Sequence, residues 1–298
     1  MKIPRNPKRK INWVPIIFIT PTIIMIGLFF LYPVVNMFWL SLTNFDFLEQ
    51  INTQFVGLHN YIKVLTTADF KYTLWRTILY TIGTAGGAFL IGLLAALLLN
   101  NKFKGRLIAR IFILFPWAVP PVVTGIVWSY MYDYQFGIIN YFLEKLHLII
   151  EPISWLGDPS VALISVILPS IWLSIPISTL VMLGGLHSIR EELYDAAAVD
   201  GANVIQEFWH ITIPGLRPIT KILILLLVIW SFRSFDIIYM MTTGGPAGAT
   251  ETFVMKVYLT AFKYYDFTRA TTYGVITLLI SLVFSIVYWK MLMTKDER

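Results

Sequence analysis

Cysteine is absent from the 298-residue chain, and charged side chains make up only 13% of it. Without cysteine the chain cannot form a disulfide, a thiolate metal site or a cysteine nucleophile. Lys and Arg outnumber Asp and Glu by a formal charge of +6, which is too small an excess for the dense basic surface of a nucleic-acid-binding protein. Hydrophobic residues make up 57% and the mean hydropathy is +0.71. This balance excludes a soluble globular domain and indicates a membrane protein.

The sequence also lacks the motifs of several enzyme classes. It contains no Gly-Lys dipeptide, and therefore no P-loop, and it has neither HExxH nor GxSxG. The four histidines occur singly in different segments, unlike the ligands of a metal site; they are His59, His147, His187 and His210. We therefore expect a protein that is not an enzyme, holds no metal and does not hydrolyse ATP itself.

Long stretches without a charged residue predict the membrane spans. A bilayer core about 30 Å thick takes roughly 20 helical residues to cross. Five stretches reach this length, and a sixth does so if it carries Arg233 and Asp236; they cover residues 11–45, 77–101, 111–132, 159–189 and 270–289, and about 219–243. Transmembrane strands would alternate polar and apolar residues, which these stretches do not. We expect an all-α integral membrane protein with six transmembrane helices.

Lys and Arg predict the orientation of these helices, because loops rich in them stay in the cytoplasm. The N-terminal tail and the loop at 102–110 are both basic and contain no acid, so both termini are expected in the cytoplasm. We interpret these charges as topology signals and not as a specific site for anionic lipid. The predicted order is a basic tail over 1–13, a first helix over 14–41, an extracytoplasmic loop over 42–76, a transmembrane domain over 77–289 and a cytoplasmic tail over 290–298.

Two features of the predicted helices concern packing. Small residues recur along the second helix, which lets another helix approach closely and predicts contact with protein and not lipid; they are Gly83, Gly87, Ala88, Gly92 and Ala96. Prolines in the stretch 116–123, and Pro169 and Pro176 in the fourth helix, predict weakened backbone hydrogen bonding inside the membrane.

The fifth helix carries the charged residues Arg233 and Asp236 within the bilayer. Their i, i+3 spacing would place both on one helical face, where they could pair. Such a pair either fixes helix packing or lines a water-filled interior, where aromatic residues such as Tyr239 could stack on a sugar ring.

The largest predicted cytoplasmic loop, residues 190–218, is expected to form two short helices. Asp200-Gly201 would end the first and Asn203 would cap the second. Alanines leave a smooth surface from which Phe208 and Trp209 protrude, and Pro214 is expected to end the second helix. Because the first turn of the loop is acidic, a protein partner fits better than a helix that rests on lipid.

This loop resembles the EAA loop of the inner-membrane permease subunits of binding-protein-dependent ABC importers. That pattern reads EAA, three residues, Gly, and then a hydrophobic stretch that closes with Ile, two residues and Pro. Here it is matched by Asp195-Ala196-Ala197 and Gly201, followed by Phe208, Ile211, Pro214 and Pro218. Asp195 stands where the family usually has Glu, which keeps the charge and shortens its reach.

Three further stretches, 55–65, 116–128 and 234–262, look like the carbohydrate-uptake branch of that family, the maltose-transporter-type permeases with the MetI-like fold. The resemblance covers about residues 55–290. It implies a bacterial or archaeal cytoplasmic membrane protein that works with a second homologous permease, two copies of a cytoplasmic ABC ATPase and an extracytoplasmic solute-binding protein to import a sugar. ATP and Mg would be bound by the ATPase, so this chain would hold no cofactor.

The resemblance also assigns residues. Contact with the ATPase is expected from part of the EAA loop, residues 190–218, namely Asp195, Ala196, Ala197, Asp200, Gly201, Ala202 and Phe208. The solute pathway is expected to include Arg233, Asp236 and Tyr239. The turn Gly244-Gly245-Pro246 is either a tight loop at the outer mouth of the fifth helix or a surface for the solute-binding protein.

Two other function classes fit less well. An ion-coupled secondary transporter should show internal repeats and several buried carboxylates, whereas Asp236 is the one clear membrane carboxylate. A membrane-embedded enzyme would need a convergent set of titratable groups within the bilayer. Within the importer class the alternative is a glycerol-phosphate-type solute, for which Arg233 is the candidate cation.

Overall fold

The computed structural model describes residues 13–46 and 53–293 of the chain. Within these residues the helices are joined by turns and loops, and the one β element is an isolated bridge between Thr43 and Phe55. The helices are α1 (Trp13–Ile26), α2 (Tyr32–Ser41), α3 (His59–Leu65), α4 (Ala68–Asn100), α5 (Arg106–Leu114), α6 (Pro121–Met131), α7 (Ile138–Lys145), α8 (Ala162–His187), α9 (Glu191–Val199), α10 (Val204–Glu207), α11 (Ile213–Phe232), α12 (Asp236–Thr242), α13 (Phe253–Tyr258) and α14 (Phe267–Met293).

Five continuous helical stretches are long and apolar enough to cross a membrane, and a bent pair makes a sixth span; the five are Ile17–Ser41, Ala68–Asn100, Ala162–His187, Val204–Phe232 and Phe267–Lys290. The bent pair is Arg106–Ala118 with Pro121–Met131, at an angle of 104°. The prediction of an all-α membrane protein with six spans is confirmed when this pair counts as one. We call the end of the bundle that carries residues 53–67 the outer end, and the end that carries the EAA loop the inner end.

The second span begins earlier than the sequence indicated. Helix α4 starts at Ala68, within the stretch expected to be an extracytoplasmic loop. The Thr67 side chain caps it by accepting a hydrogen bond from the Phe70 N–H at 3.1 Å, which satisfies one of the free donors of the first turn. A search for charge-free stretches missed this start, because Asp69, Lys71 and Arg76 all precede Thr77.

The prolines have two different effects. In the third span, residues 115–118 form a 3₁₀ turn and the chain bends before Pro121, as the prediction of a weakened helix requires. Helix α8, in contrast, runs without interruption through Pro169 and Pro176, which are both buried. The two prolines thus leave the fourth span continuous, because α8 packs against both α4 and α11.

Helices α4 and α8 pack face to face along the row of small residues. A Cβ at Gly83 would touch the Ile167 side chain, and one at Gly87 or Gly92 would overlap Ile171 or Ser178. Ala88 and Ala96 are completely buried in the same interface. The prediction that this ridge contacts protein is confirmed.

The substitution Gly92→Ala is expected to lower the free energy of unfolding by about 2 kcal/mol, because the new methyl group overlaps both Ser178 side-chain atoms and its backbone. Thermal denaturation of the purified protein in detergent measures this. Gly86→Ala is the matched control, since a Cβ at Gly86 meets nothing within 4 Å. It should leave stability unchanged or raise it slightly through helix propensity. Equal effects of the two variants would contradict the close approach of α4 and α8.

Candidate functional site

The EAA loop, residues 190–218, consists of two helices joined by a tight turn, as predicted. Helix α9 ends at Val199, and Gly201 follows in the left-handed conformation with φ +77°. Asn203 caps α10 by accepting from the Gln206 N–H at 2.9 Å, and its own N–H donates to Gln206 Oε1 at 2.8 Å. This reciprocal pair is a capping box, which fixes where the second helix begins.

Most of the predicted contact residues of the EAA loop are accessible. Asp195, Ala196, Asp200 and Gly201 are exposed, while Ala197 and Ala202 are half-buried. A cleft of about 300 Å³ lies between the two helices of the loop and is lined by Ala197, Asp200, Gly201, Ala202, Gln206, Glu207, His210 and Ile211. The arrangement gives a concave surface with small residues on one wall.

Phe208 differs from its predicted place. It is half-buried, and its ring lies 5.4 Å from that of Trp209, which is the exposed member of the pair. Phe208 also begins a widened π-helical turn, Phe208–Thr212, that connects α10 to α11. The prediction that both rings protrude is therefore confirmed for Trp209 and is wrong for Phe208.

The prediction that Pro214 ends the second helix is wrong. The helix continues from Val204 through Pro214 to Phe232. Pro214 is the second residue of α11 and directly follows the π turn. A proline lacks an N–H to donate to the preceding turn, and the widened turn accommodates it without breaking the helix.

The fifth span breaks where the sequence predicted a continuous helix. Helix α11 ends at Phe232, Arg233 is its C-cap, and α12 begins only at Asp236. Arg233 and Asp236 therefore do not share one helical face, and no ion pair joins them in the described part of the chain. Both side chains are exposed.

A half-open cavity of about 510 Å³ lies at this break and is lined by residues of α4, α8, α11 and α12. Its lining combines two predicted residues, Arg233 and Asp236, with hydroxyl groups and with the exposed rings of Trp117 and Trp230; the hydroxyl-bearing residues are Tyr80, Thr84, Ser170, Ser174, Ser231 and Ser234. One cation, one anion, several hydroxyls and two indoles suit a polyhydroxylated solute.

The hydroxyl groups of this cavity were missed by reasoning from the sequence. The buried Tyr80 hydroxyl donates to Ser234 Oγ at 2.8 Å and lies 2.8 Å from Ser170 Oγ. It thereby connects α4, α8 and the turn between α11 and α12. The available signal was the i, i+4 spacing of Tyr80 with Thr84 and of Ser170 with Ser174, which puts each pair on one helical face.

Tyr80→Phe is expected to cost about 1 kcal/mol of stability, because it releases Ser234 in the turn that carries Arg233. Thermal denaturation measures this effect. Tyr132→Phe is the matched control, since the Tyr132 hydroxyl is buried without a hydrogen-bond partner among the described residues. If both variants behaved alike, the Tyr80 bonds would have no role in positioning the turn.

Tyr239, the third predicted pathway residue, does not line the cavity. Its ring packs 5.2 Å from Phe235 and 5.1 Å from Tyr258. These rings belong to an aromatic cluster beside α12. The structure therefore brings Arg233 and Asp236 to one cavity and places Tyr239 outside it.

The turn Gly244-Gly245-Pro246 is a tightly held loop that follows α12. Gly244 has φ +86°, and the Gly245-Pro246 bond is cis. The fully buried Thr250 fixes the loop, since its hydroxyl donates to the Gly245 carbonyl at 2.9 Å and lies 2.6 Å from Thr242 Oγ1. A side chain at Gly244 would meet Glu251, Leu259 and Met255, so this position requires glycine for both its conformation and its space.

A network of ion pairs at the outer end holds this loop against two spans. Lys256 Nζ lies 2.8 Å from Glu251 and 2.9 Å from Asp69, and Arg269 lies 3.0 Å from Asp69. Burial by itself lowers the pKa of Lys256, but the hydrogen bonds and charges of Glu251 and Asp69 outweigh it and raise the pKa above the usual value. The network thus joins the first turn of α4, helix α13 and the start of α14.

These features define a class: a polytopic helical membrane protein with a cavity at a broken span and a capped two-helix loop at its inner end. Residues 88–289 match the family described as the inner membrane component of binding-protein-dependent transport systems. The chain belongs to this family and is a multi-pass permease component of the inner membrane.

Similar proteins agree with this assignment. The trehalose/maltose transport system permease protein MalF of Thermococcus litoralis is 36% identical over 91% of both chains. The sulfoquinovosyl glycerol transport system permease protein SmoG of Agrobacterium fabrum is 32% identical over 94% of this chain and 91% of its own. A bacterial ABC transporter chain for import of the acidic polysaccharide alginate has the same fold, with a TM-score of 0.80 and 20% identity over 95% of this chain and 96% of that one.

Proposed function

We propose that this chain is one of two permease subunits of an ATP-driven importer and forms half of the pathway for a sugar. The cavity at the break of the fifth span, with its charged and hydroxyl groups, carries this proposal. Its hydroxyl groups can exchange hydrogen bonds with the hydroxyls of a sugar, and Trp117 and Trp230 offer ring faces for stacking. The relatives with trehalose, maltose and sulfoquinovosyl glycerol in their names support a sugar as the solute.

The proposed coupling runs through the EAA loop. Its exposed residues Asp195, Ala196, Asp200 and Gly201 would enter a groove of a cytoplasmic ATPase, of which two copies bind ATP and Mg. Closure of the ATPase pair would move the loop, and the continuous helix from Val204 to Phe232 would transmit that movement to the cavity. A solute-binding protein would deliver the sugar at the outer end, with the loop at Gly244–Pro246 as a candidate contact.

A mild-detergent pull-down of the tagged chain, co-expressed with its genomic neighbours, tests the proposal. We expect a second permease and an ATPase to copurify, with ATP hydrolysis that rises when a sugar-loaded binding protein is added. Recovery of the chain alone, or as a homo-oligomer without an ATPase, would contradict the importer assignment.

A glycerol-phosphate-type solute is the second candidate, and one observation favours it. Because Arg233 and Asp236 are not paired, the arginine is available to an anionic solute. Asp236 lines the same cavity, however, so the formal charges of the two residues balance. This balance fits a neutral sugar better than a phosphate.

Charge substitutions separate the two solutes. For a neutral sugar, Arg233→Gln and Asp236→Asn should each lower the initial uptake rate about tenfold, because each removes a charged hydrogen-bonding group from the cavity. For a phosphate, Arg233→Gln should abolish uptake, while Asp236→Asn should preserve or increase it. Lys71→Gln, an exposed charge on α4 outside the cavity, is the control. If both cavity variants took up solute at the wild-type rate, Arg233 and Asp236 would not belong to the pathway.

A further inference from the structure

An exposed apolar surface lies at the outer end, in the segment that connects the third and fourth spans. It consists of Phe136, Ile138, Phe142, Leu146, Leu148 and Ile150, which we call the apolar shelf. Each of these side chains is exposed, and Ile150 is 99% exposed. Such a density of exposed large apolar side chains outside a membrane span marks a contact with something other than water.

The shelf faces outward because α7 is held in one orientation. On its inner side, the buried Asn140 accepts from Trp155 Nε1 at 2.8 Å and from the Ile153 N–H at 3.2 Å, and it donates to the Ile153 carbonyl at 3.0 Å. Ile139 and Trp155 pack against the buried cluster below α7. With Asn140 and Ile139 turned inward, Ile138 and Phe142 must point away from the bundle.

Hydrogen bonds also hold the start of the shelf in place. Asp133 Oδ1 accepts from the Gln135 N–H at 2.8 Å and the Phe136 N–H at 3.1 Å. This turn directly follows α6, which ends the third span at Met131. The shelf therefore begins at the level where a span leaves the hydrocarbon core, and α8 enters the same core at Ala162.

Neighbouring side chains match the boundary between lipid tails and headgroups. Tyr130 and Tyr134 are exposed on the approach from α6, so the exposed surface continues from the span onto the shelf. Lys145 lies with its ammonium 5.6 Å from the centre of the Tyr141 ring. Tyrosine and lysine combine an apolar body with a polar tip and are favoured at this depth.

We propose that the apolar shelf rests in the outer leaflet of the membrane, so that α7 is an interfacial helix bound to phospholipid. The six shelf side chains carry no hydrogen-bonding group, whereas a surface for a partner that binds and leaves is about as polar as the rest of a protein. The stretch 136–150 carries one acid, Glu144, and one ammonium, Lys145. Its binding should therefore depend on apolar burial and not on the charge of the lipid.

Single spin labels test this, and because this chain has no cysteine, only cysteines of the partner subunits are replaced before labelling. Phe142→Cys, Ile150→Cys and Ser160→Cys are labelled in the intact complex in phosphatidylcholine vesicles, with and without phosphatidylglycerol. Ser160 is exposed in the same outer segment but lies outside the shelf. The ratio of collisions with oxygen to collisions with a water-soluble nickel complex should be several-fold higher at 142 and 150 than at 160, and it should not change with phosphatidylglycerol.

Three results would overturn the proposal. Equal ratios at 150 and 160 would place the shelf in water. Immobilisation at 150 only after the solute-binding protein is added would make the shelf a surface for that protein. Immobilisation without collisions with either reagent, in the absence of that protein, would mean that another subunit covers it. None of these outcomes depends on which solute the complex transports, so the test stands apart from the proposed function.

Discussion

Replacing Gly201 with valine is expected to abolish solute-stimulated ATP hydrolysis while the protein still inserts into the membrane. Gly201 has φ +77°, and a Cβ at this position would meet nothing within 4 Å. The cost of the substitution is therefore backbone strain and not a steric clash with another residue, and for a β-branched residue it exceeds about 1 kcal/mol. That strain would shift the turn between α9 and α10 and move the proposed ATPase-contacting surface.

Gly201→Asn is the matched control, because asparagine tolerates the left-handed conformation better than other residues with a side chain. It should keep most of the coupled activity. Uptake and ATP hydrolysis are measured on the same reconstituted samples, and the amount of inserted protein is measured for each variant. Coupled activity in Gly201→Val at the wild-type level would contradict the role of the turn.

The second large effect is expected at the outer end, where Lys256→Met should lower the free energy of unfolding by about 3 kcal/mol. The lysine side chain is only 11% exposed and joins Asp69 to Glu251, which is 14% exposed. Removing the ammonium leaves these carboxylates without their shared partner, which costs more than the ion pair itself contributes. Methionine keeps the length of the side chain, so the effect isolates the charge.

The pH dependence of this contribution follows from the raised pKa of Lys256. A raised pKa in the folded state means that the stabilisation is fully present below the usual lysine value and is lost as the pH rises through the raised pKa. Lys256→Met should therefore be less stable than the wild type throughout the neutral range. The difference should shrink in strong alkali, where Lys256 loses its proton, and in acid, where Asp69 gains one, as thermal denaturation at several pH values would show.

Lys263→Met serves as the control for this substitution. Lys263 ends the helical turn that follows α13 and is exposed, with its ammonium 5.8 Å from the centre of the Tyr264 ring. Its replacement should change stability by a few tenths of a kcal/mol at most. A Lys256 variant that unfolds no more easily than the Lys263 variant would show that the network adds nothing to the fold.

The EAA loop could be predicted from the sequence because the information is local. The glycine at 201 ends α9, and the Asn203–Gln206 pair, three residues apart, starts α10. The packing face of α4 could also be predicted from its row of small residues, because one helical face repeats every three to four residues. Both features depend on neighbours along the chain.

The break of the fifth span could not be predicted in the same way, because the stretch 219–243 contains neither glycine nor proline. Part of what holds the turn open is the hydrogen bond from Tyr80 to Ser234, across 154 residues of sequence. The cavity hydroxyls had a periodic signal, but serines in helices commonly bond to their own backbone, as Ser174 does to the Ser170 carbonyl at 2.8 Å. Their position on the cavity wall is set by tertiary packing.

The helical stretch from Val204 to Phe232, which contains the π turn, connects the EAA loop to the cavity and sets the length over which a movement can be transmitted. Its 29 residues span roughly 43 Å, from the capping box of the EAA loop to the residue before Arg233. A rigid rod of that length converts a tilt of about five degrees at one end into a displacement of about 4 Å at the other. The π turn at Phe208–Thr212 interrupts the regular hydrogen bonding near the inner end of this rod. The bending stiffness of the helix beyond that turn would determine how much of a displacement of the EAA loop is transmitted to the cavity.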